Sequence, residues 1–368
     1  MPAGVVALLL LIFTRYSSSQ ASTRVRFIQY APALTAAGFE IEVFPILDDD
    51  AIAGRSGALA SAWSRLKSFG RVARRLLRER NRDCHIHIYI ELFPWLPFVV
   101  DRTLLLLAGK RNYSVEYDDA WFHKYDSHPS GLVRALLGTK IDRLMRQSAL
   151  VIAGNDYVAA RAKAVGAKWV ETIPTVVDVE RYQVHDGALE PENSQLPVIG
   201  WIGSPSTTFL LVQLERVIER MHRAGLASFV AIGADTSQLA RLPIECLPWS
   251  EATEVDALHR FDIGIMPVSD TLFERGKSGY KIVQYMACGL PVVASPVGAN
   301  RSVVVDGETG YLASTDDEWF ETLSKLCGSA SLRSQLGASG LVRAEKVYSL
   351  RVTAPKLVSV FKRLVLQA

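Results

Sequence analysis

Two series of short apolar runs, each run separated from the next by a helix-length amphipathic stretch, constrain this 368-residue chain more than any other feature. The first series reads VVALLLLIF, IEVFPIL, CHIHIYI, YSVEYDD, ALVIAG and VETIPT. The second reads LPVIGWIG, SFVAIGA, IECLPWS, IGIMPV, LPVVAS and GYLAS. Runs rich in Val, Ile and Leu without strict alternation bury both faces, as strands do in a parallel sheet sandwiched between helices. Two such series predict an α/β protein of two Rossmann-like, doubly wound parallel-sheet domains facing a central cleft.

The break between the series falls between Asp178 and Gln195. The surrounding RYQVHDGALEPENSQLP is polar, carries Pro191 and Pro197 and lacks apolar periodicity, as a linker does. The expected domains are therefore residues 1–184 and 185–368. The tail from about Ser349 to Ala368 is amphipathic through Leu350, Val352, Leu357, Val360, Phe361 and Leu364. It reads as a closing helix, with packing back across the first domain open to it.

Bulk properties narrow the class. The length suits two domains, and 49% hydrophobic residues give each half enough apolar material for a core. A net charge of +3 demands no nucleic-acid partner. Cys84, Cys246, Cys288 and Cys327 lie far apart without a CxxC pair, which argues against a disulfide framework or a zinc site and fits a reducing, cytoplasmic setting. No apolar run reaches the roughly 18–20 residues that span a bilayer. VVALLLLIF has no basic residue before it and no clear cleavage site after it, so it reads as a buried strand rather than a signal core.

Ligands of open α/β sheets bind beyond the carboxyl ends of the strands, so strand-end residues are the ones to inspect. After the first run, a helix from about Thr23 to Ala37 is expected, with Ser22 or Thr23 as its cap and Arg24 and Arg26 adding charge at an anion-binding end. The loop is not GxGxxG. His85 and His87 share one face of HIHIYIE, and satisfied buried histidines are favoured there over a metal site because no third ligand has a recognisable spacing. Asp118 and Asp119 end YSVEYDD, where they can bind sugar hydroxyls, serve as a base or cap the next helix. Asp48-Asp49-Asp50 resembles a DxD motif but reads as a solvated loop or an N-cap. Between residues 65 and 82, Arg65, Lys67, Arg71, Arg74, Arg75, Arg78, Arg80 and Arg82 face Glu79 alone. That helix suits either an anionic membrane surface or plain solvent. RNA binding lacks interleaved aromatics beyond Phe69.

In the second series, Gly203 and Ser204 close the first strand with Ser206 and Thr207 nearby, a weak pattern for phosphate. FERGKSGYK is sharper. A helix starting at Ser278 or Gly279 and stopped by Gly289 places Lys277 and Lys281 one turn apart at its positive end, with Gln284 on a neighbouring face. Cations there are unfavourable by about 0.3–1 kcal/mol each. An anionic ligand reverses that penalty, and a diphosphate is the natural guest, with Glu274, Arg275 and Gly276 in the same loop.

GWIGSPST, IGIMPVSD, RGKSGYKIVQYMACGLPVVASPVGAN and VDGETGYLAS resemble the second domain of retaining glycosyltransferases of the GT-B fold, specifically the "group 1" glycosyltransferases. QASTRVRFIQYAPAL, LVIAGNDYVA and IPTVVDVERY are similar to that family's first domain and linker. The resemblance spans nearly the whole chain and is most specific over residues 274–314. It implies a metal-independent, hexosyltransferase-type enzyme without a cofactor, moving a sugar with retention from a UDP- or GDP-linked donor to a glycan or lipid-linked saccharide. By the resemblance, Gly203 and Ser204 lie beside the diphosphate and Lys277 and Lys281 neutralise it. Leu247, Pro248 and Trp249 lie near the base, while Asp118, Asp119 and Arg24 face acceptor and reacting centre. The chain departs from the family where two glutamates stand eight positions apart: Gly276 and Gln284 occupy those places, and Glu274 lies two residues earlier. A Gln still hydrogen-bonds ribose hydroxyls. The family's Asn-Gly before the linker is Thr175-Val176 here. A sugar-nucleotide epimerase and a non-catalytic binding protein of the same fold are the alternatives. Peripheral attachment to the inner face of the membrane is the option opened by residues 65–82.

Overall fold

A computed structural model describes residues 8–47, 58–182 and 196–366, with side chains of 58–62 left aside. The twelve apolar runs become twelve strands in two six-stranded parallel sheets. In the first, β1 (Leu8–Thr14), β2 (Phe39–Pro45), β3 (Cys84–Tyr89), β4 (Tyr113–Tyr117), β5 (Leu150–Ala153) and β6 (Val170–Thr172) take the order β2-β1-β3-β4-β5-β6. In the second, β7 (Val198–Ile202), β8 (Ser228–Ile232), β9 (Ile244–Leu247), β10 (Ile263–Met266), β11 (Val292–Ala294) and β12 (Gly310–Leu312) take the order β12-β11-β10-β7-β8-β9. Each order reverses direction once, between β1 and β3 and between β7 and β10. Those are the switch points where a doubly wound sheet opens a crevice.

The chain divides into two compact units, Met1–Thr175 with Thr353–Ala368, and Val176–Val352. The division thus falls about ten residues before the expected 184/185 boundary, and the last helix, Leu350–Leu366, contributes most of its length to the first unit. Its Leu357, Val360, Phe361 and Leu364 are buried, and the Phe361 ring meets His87 edge-on at 5.3 Å. Residues 183–195 and Asp48–Asp50 lie outside the described residues.

One expected helix is broken. Thr23–Ala37 forms a helix over Ala21–Arg26, a 3-10 turn over Ile28–Tyr30 and a second helix over Ala31–Ala36. Pro32 stands in the first turn of the last piece, where a missing N–H and fixed φ favour a helix start rather than an interior. Neither Ser22 nor Thr23 caps the first piece; its N-cap is Gln20, and the Thr23 hydroxyl donates to the Tyr16 carbonyl at 2.9 Å.

Candidate active site

In the second unit the FERGKSGYK segment follows β10, at the switch point with β7. Glu274–Gly276 forms a 3-10 turn, Gly279 at φ 70° is the N-cap, and the helix runs Tyr280–Ala287. As a glycine, the N-cap residue has no side chain with which to cap that helix start. The left-handed Gly279 is what swings the chain from the loop into the helix. The loop after β11 braces the turn: a Cβ at Gly298 would fall 2.2 Å from the Arg275 carbonyl oxygen, so two backbones touch there.

Lys281 projects from the first helical turn onto the face of Trp201, its Nζ 4.6 Å from the ring centroid. The same indole underlies Gly203, where a Cβ would sit 2.1 Å from the ring. Trp201, buried in β7, therefore joins the helix-borne ammonium to the glycine that ends the neighbouring strand. Gly203 in turn lies against the loop after β8, since a Cβ at Gly233 would meet the Gly203 carbonyl at 2.5 Å. Ser204 caps the 3-10 turn Pro205–Thr207, and its hydroxyl lies 3.0 Å from that of Ser206 and 3.3 Å from that of Thr207. The β7/β10 switch point thus gathers hydroxyls, a glycine-led helix start and an ammonium group. This is the composition of a phosphate site.

The other expected residues divide. Lys277 is already paired, its Nζ 3.0 Å from Oε2 of the buried Glu274. Arg275 is exposed and grips Asp270 through two hydrogen bonds of 2.6 and 3.1 Å, which hold the Asp270 carboxyl below its ordinary pKa. Gln284 points into protein. Its amide donates to the Tyr182 hydroxyl and to Glu254, each at 3.1 Å, and only 2% of the residue is exposed. Glu254 also accepts from Tyr182 at 2.8 Å and from the Trp249 indole at 2.7 Å. Burial first, then Tyr280 and Glu254, push the Tyr182 hydroxyl far above its ordinary range, so it stays a donor. Glu254 is the residue sequence reasoning missed. Its carboxylate ties Trp249, Gln284 and Tyr182 together, yet nothing in WSEATE separates it from Glu251.

In the first unit Arg24 binds its own loop, donating to the Ser18 and Ser19 carbonyls at 3.1 and 2.7 Å. The arginine that reaches the carboxylates is Arg26. It is buried, donates to Glu116 at 2.6 Å and to the Ile173 carbonyl at 3.0 Å, and feels Asp118. Burial alone would lower its pKa, but Glu116 more than reverses that. Helical spacing explains the swap, because residues two apart leave the helix in nearly opposite directions.

Asp118 and Asp119 are half-buried at the end of β4. Oδ1 of Asp118 accepts from the Asp119 N–H at 2.9 Å and the Trp121 indole at 3.3 Å, while Asn155 holds its carbonyl at 3.0 Å. His123, just beyond, places one ring nitrogen 2.8 Å from Asp126 and the other 2.9 Å from the Tyr157 hydroxyl. An imidazole oriented by a carboxylate is a base-like arrangement that the sequence did not single out.

The strand histidines are satisfied. His87 Nε2 lies 3.1 Å from Glu116 and its Nδ1 2.7 Å from Ser114 Oγ, which His85 Nε2 reaches at 2.8 Å. One consistent proton order has His85 donating to Ser114, Ser114 to His87, and His87 to Glu116. Among the described residues no group of three or more His, Cys, Asp or Glu is placed to hold a metal ion.

Two parallel doubly wound units, each with polar residues gathered beyond its strand ends, define the GT-B class of glycosyltransferase folds. Residues 197–329, which lie within the second unit, match the family Glycosyl transferases group 1. Two D-inositol 3-phosphate glycosyltransferases match in part. The protein of Nocardioides sp. is 33% identical over 87 residues, 23% of this chain and 19% of the relative. That of Catenulispora acidiphila is 30% identical over 132 residues, 35% and 26% of the two chains. The chain thus spans about a fifth to a quarter of these relatives' length. Sucrose-phosphate synthase of Thermosynechococcus elongatus superposes with a TM-score of 0.72 at 13% identity, covering 98% of this chain and 100% of the other. Anabaena Alr3699/HepE in complex with UDP and glucose gives 0.67 at 14% identity over 96% and 99%. At such identities the likeness is one of fold.

Proposed function

We propose that this protein transfers a sugar, with retention, from a nucleoside-diphosphate sugar to a glycan or lipid-linked saccharide, using no metal and no cofactor. The observation that carries this reading is the joining of Gly203, Trp201 and Lys281 at the β7/β10 switch point. When a glycosidic bond to a diphosphate breaks, negative charge grows on the leaving oxygen. Fixed N–H dipoles and ammonium groups already facing that position stabilise the transition state without reorganising. Lys281 lies ready on its ring. Lys277 becomes available as its partner Glu274 turns from ammonium to donor sugar. Trp249, half-buried and fixed by its bond to Glu254, provides the base side of the site. UDP is favoured as the carrier because Anabaena Alr3699/HepE, of the same fold, was solved with UDP and glucose.

Calorimetric titration with UDP, GDP and their sugars tests the reading. The wild type should bind a nucleotide, and Lys277→Ala and Lys281→Ala should each weaken it by about 10-fold or more, as loss of a charge-assisted hydrogen bond does. No binding of any of them would sink the proposal. Incubation with donor alone separates transfer from epimerisation, since only an epimerase converts donor without acceptor. Turnover with some acceptor in a panel excludes the non-catalytic alternative.

The setting proposed is the cytoplasmic face of an anionic membrane. The helix Ala58–Arg78 buries Val72 and Leu76 and exposes Trp63, Leu66 and Leu77 along one stripe, with Lys67, Arg74 and Arg78 beside it. An apolar stripe flanked by cations suits the headgroup boundary. No helix among the described residues is long and apolar enough to cross a membrane.

A further inference from the structure

The first sheet has its own switch point, between β1 and β3, and the residues that follow those strands form a cluster that the donor site does not use. Arg15 follows β1; Ile90, Glu91 and Trp95 follow β3; Trp121, Lys124 and Tyr125 follow β4. The lower layer is charge-balanced. Glu91 accepts from Arg15 at 3.3 Å and from the Tyr125 hydroxyl at 2.7 Å, and lies 2.7 Å from the Lys140 ammonium, which is 3.2 Å from Asp101. All four charged groups are at most 5% exposed.

The upper layer is not balanced. Lys124 lies with its Nζ 5.2 Å from the Trp121 ring centroid and 5.9 Å from that of Trp95. The Arg15 guanidinium stands 4.9 Å from the same Trp121 ring. Among the described residues no carboxylate lies within ion-pair distance of Lys124, in contrast to the two cations beneath it. Burial first, then the nearby Arg15, lower the Lys124 pKa, with Glu91 opposing. The surrounding loop is strained. Ile90 and Trp95 adopt φ of 73° and 67°, a region that β-branched and bulky residues avoid. Such strain persists only where neighbours over-determine it, and it gathers at ligand sites. Here the Ile90 N–H bonds the Glu116 carbonyl at 3.0 Å and the Trp95 N–H bonds the Tyr125 hydroxyl at 3.0 Å. The result is an indole, 37% exposed, held beside a surplus cation.

We propose that Lys124, backed by Arg15, binds an oxyanion carried by the sugar acceptor, whose ring stacks on Trp95 and Trp121. An anion placed there supplies the missing countercharge and separates the two cations that share one ring. Flat indole faces suit the apolar face of a pyranose. The proposal deepens the glycosyl-transfer reading by naming the acceptor class, an acidic saccharide bearing a phosphate or a carboxylate.

The test is calorimetric titration of the full chain with glucose 6-phosphate, glucuronate and glucose, alongside UDP. At least one acidic sugar should bind 10-fold or more tightly than glucose, and which one binds identifies the anion. Lys124→Gln should weaken the acidic sugar by about 10- to 100-fold, as loss of a charged hydrogen bond does, and leave UDP binding unchanged. Trp121→Phe should weaken acidic sugar and glucose alike. Equal affinity for charged and neutral sugars, no sugar binding at all, or an unaffected Lys124→Gln would overturn the proposal. Because UDP is titrated separately, failure of the donor site and failure of this subsite are distinguishable.

Discussion

At the scale of single residues, the site depends on positions where no side chain fits. Gly264 of β10 faces Tyr285, and an added Cβ would lie 2.3 Å from its ring. Tyr285 cannot swing aside. It is wholly buried, its hydroxyl donates to the Ile265 carbonyl at 3.2 Å, and it accepts from the Ile202 N–H at 3.0 Å. Gly264→Ala should therefore destabilise the second unit by about 1–3 kcal/mol, as overpacking of a filled core does, seen as a lower urea midpoint. An unchanged midpoint would mean that the sheet and helix adjust together. The sequence showed Gly264 only as a small residue inside an apolar run. Its reason for being glycine lies 21 positions later in the chain.

Elements carry the pH and surface behaviour. β3 holds His85 in a site where burial, with His87 and Lys110, pushes its pKa down to about 3 from the ordinary 6.5. The unfolded chain binds a proton below pH 6.5 while the folded chain does not, so stability is present above pH 6.5 and is lost as pH falls toward 3. The slope is at most about 1.4 kcal/mol per pH unit from this one group. His85→Gln, which still donates to Ser114 but does not titrate, should flatten the stability profile between pH 6.5 and 4 in denaturant titrations. Profiles that run parallel would refute the assignment. For the basic helix, its packing selects the residues to test. Arg75 is tied to Glu42 and Glu79, and Arg71 reaches the carbonyls of Pro45 and Ile46, so both belong to the fold. Reversing Lys67, Arg74 and Arg78 to glutamate should abolish co-sedimentation with anionic vesicles and leave neutral vesicles unbound throughout. Raising salt should mimic the substitution. Binding indifferent to both changes would remove the membrane reading.

Over the whole molecule, the last helix makes the first unit discontinuous. Thr353 lies 2.8 Å from the Tyr30 hydroxyl, Lys356 donates to the Thr172 carbonyl at 2.7 Å, and Arg363 stacks 4.6 Å from the Trp169 ring centroid. Leu357, Val360, Phe361 and Leu364 are buried, and the Phe361 ring meets Phe39 of β2 at 6.4 Å and His87 of β3 at 5.3 Å. Deleting residues 353–368 uncovers apolar area worth on the order of 5–10 kcal/mol, comparable to the entire stability of a domain. Calorimetry should then show the first unit's transition lost while that of residues 176–352 survives, with UDP binding retained. A single transition shifted as a whole would show that the two units do not unfold separately.

Much of this architecture was legible in the sequence because apolar periodicity is a local signal. Twelve runs gave twelve strands, and the loops beyond them were marked as the places to look. The helix after FERGKSGYK, with Gly279 at its start and Gly289 at φ 69° beyond its end, followed from residue chemistry within a few positions. The side-chain partnerships did not. Lys281 on Trp201, Gln284 turned toward Glu254, Arg26 rather than Arg24 among the carboxylates, and Lys124 over two indoles each join residues from different strand ends. A sequence sets which residues leave each strand end, but the sheet order decides which ends are neighbours. That order is set by long-range packing, so only the tertiary structure could say which charges meet.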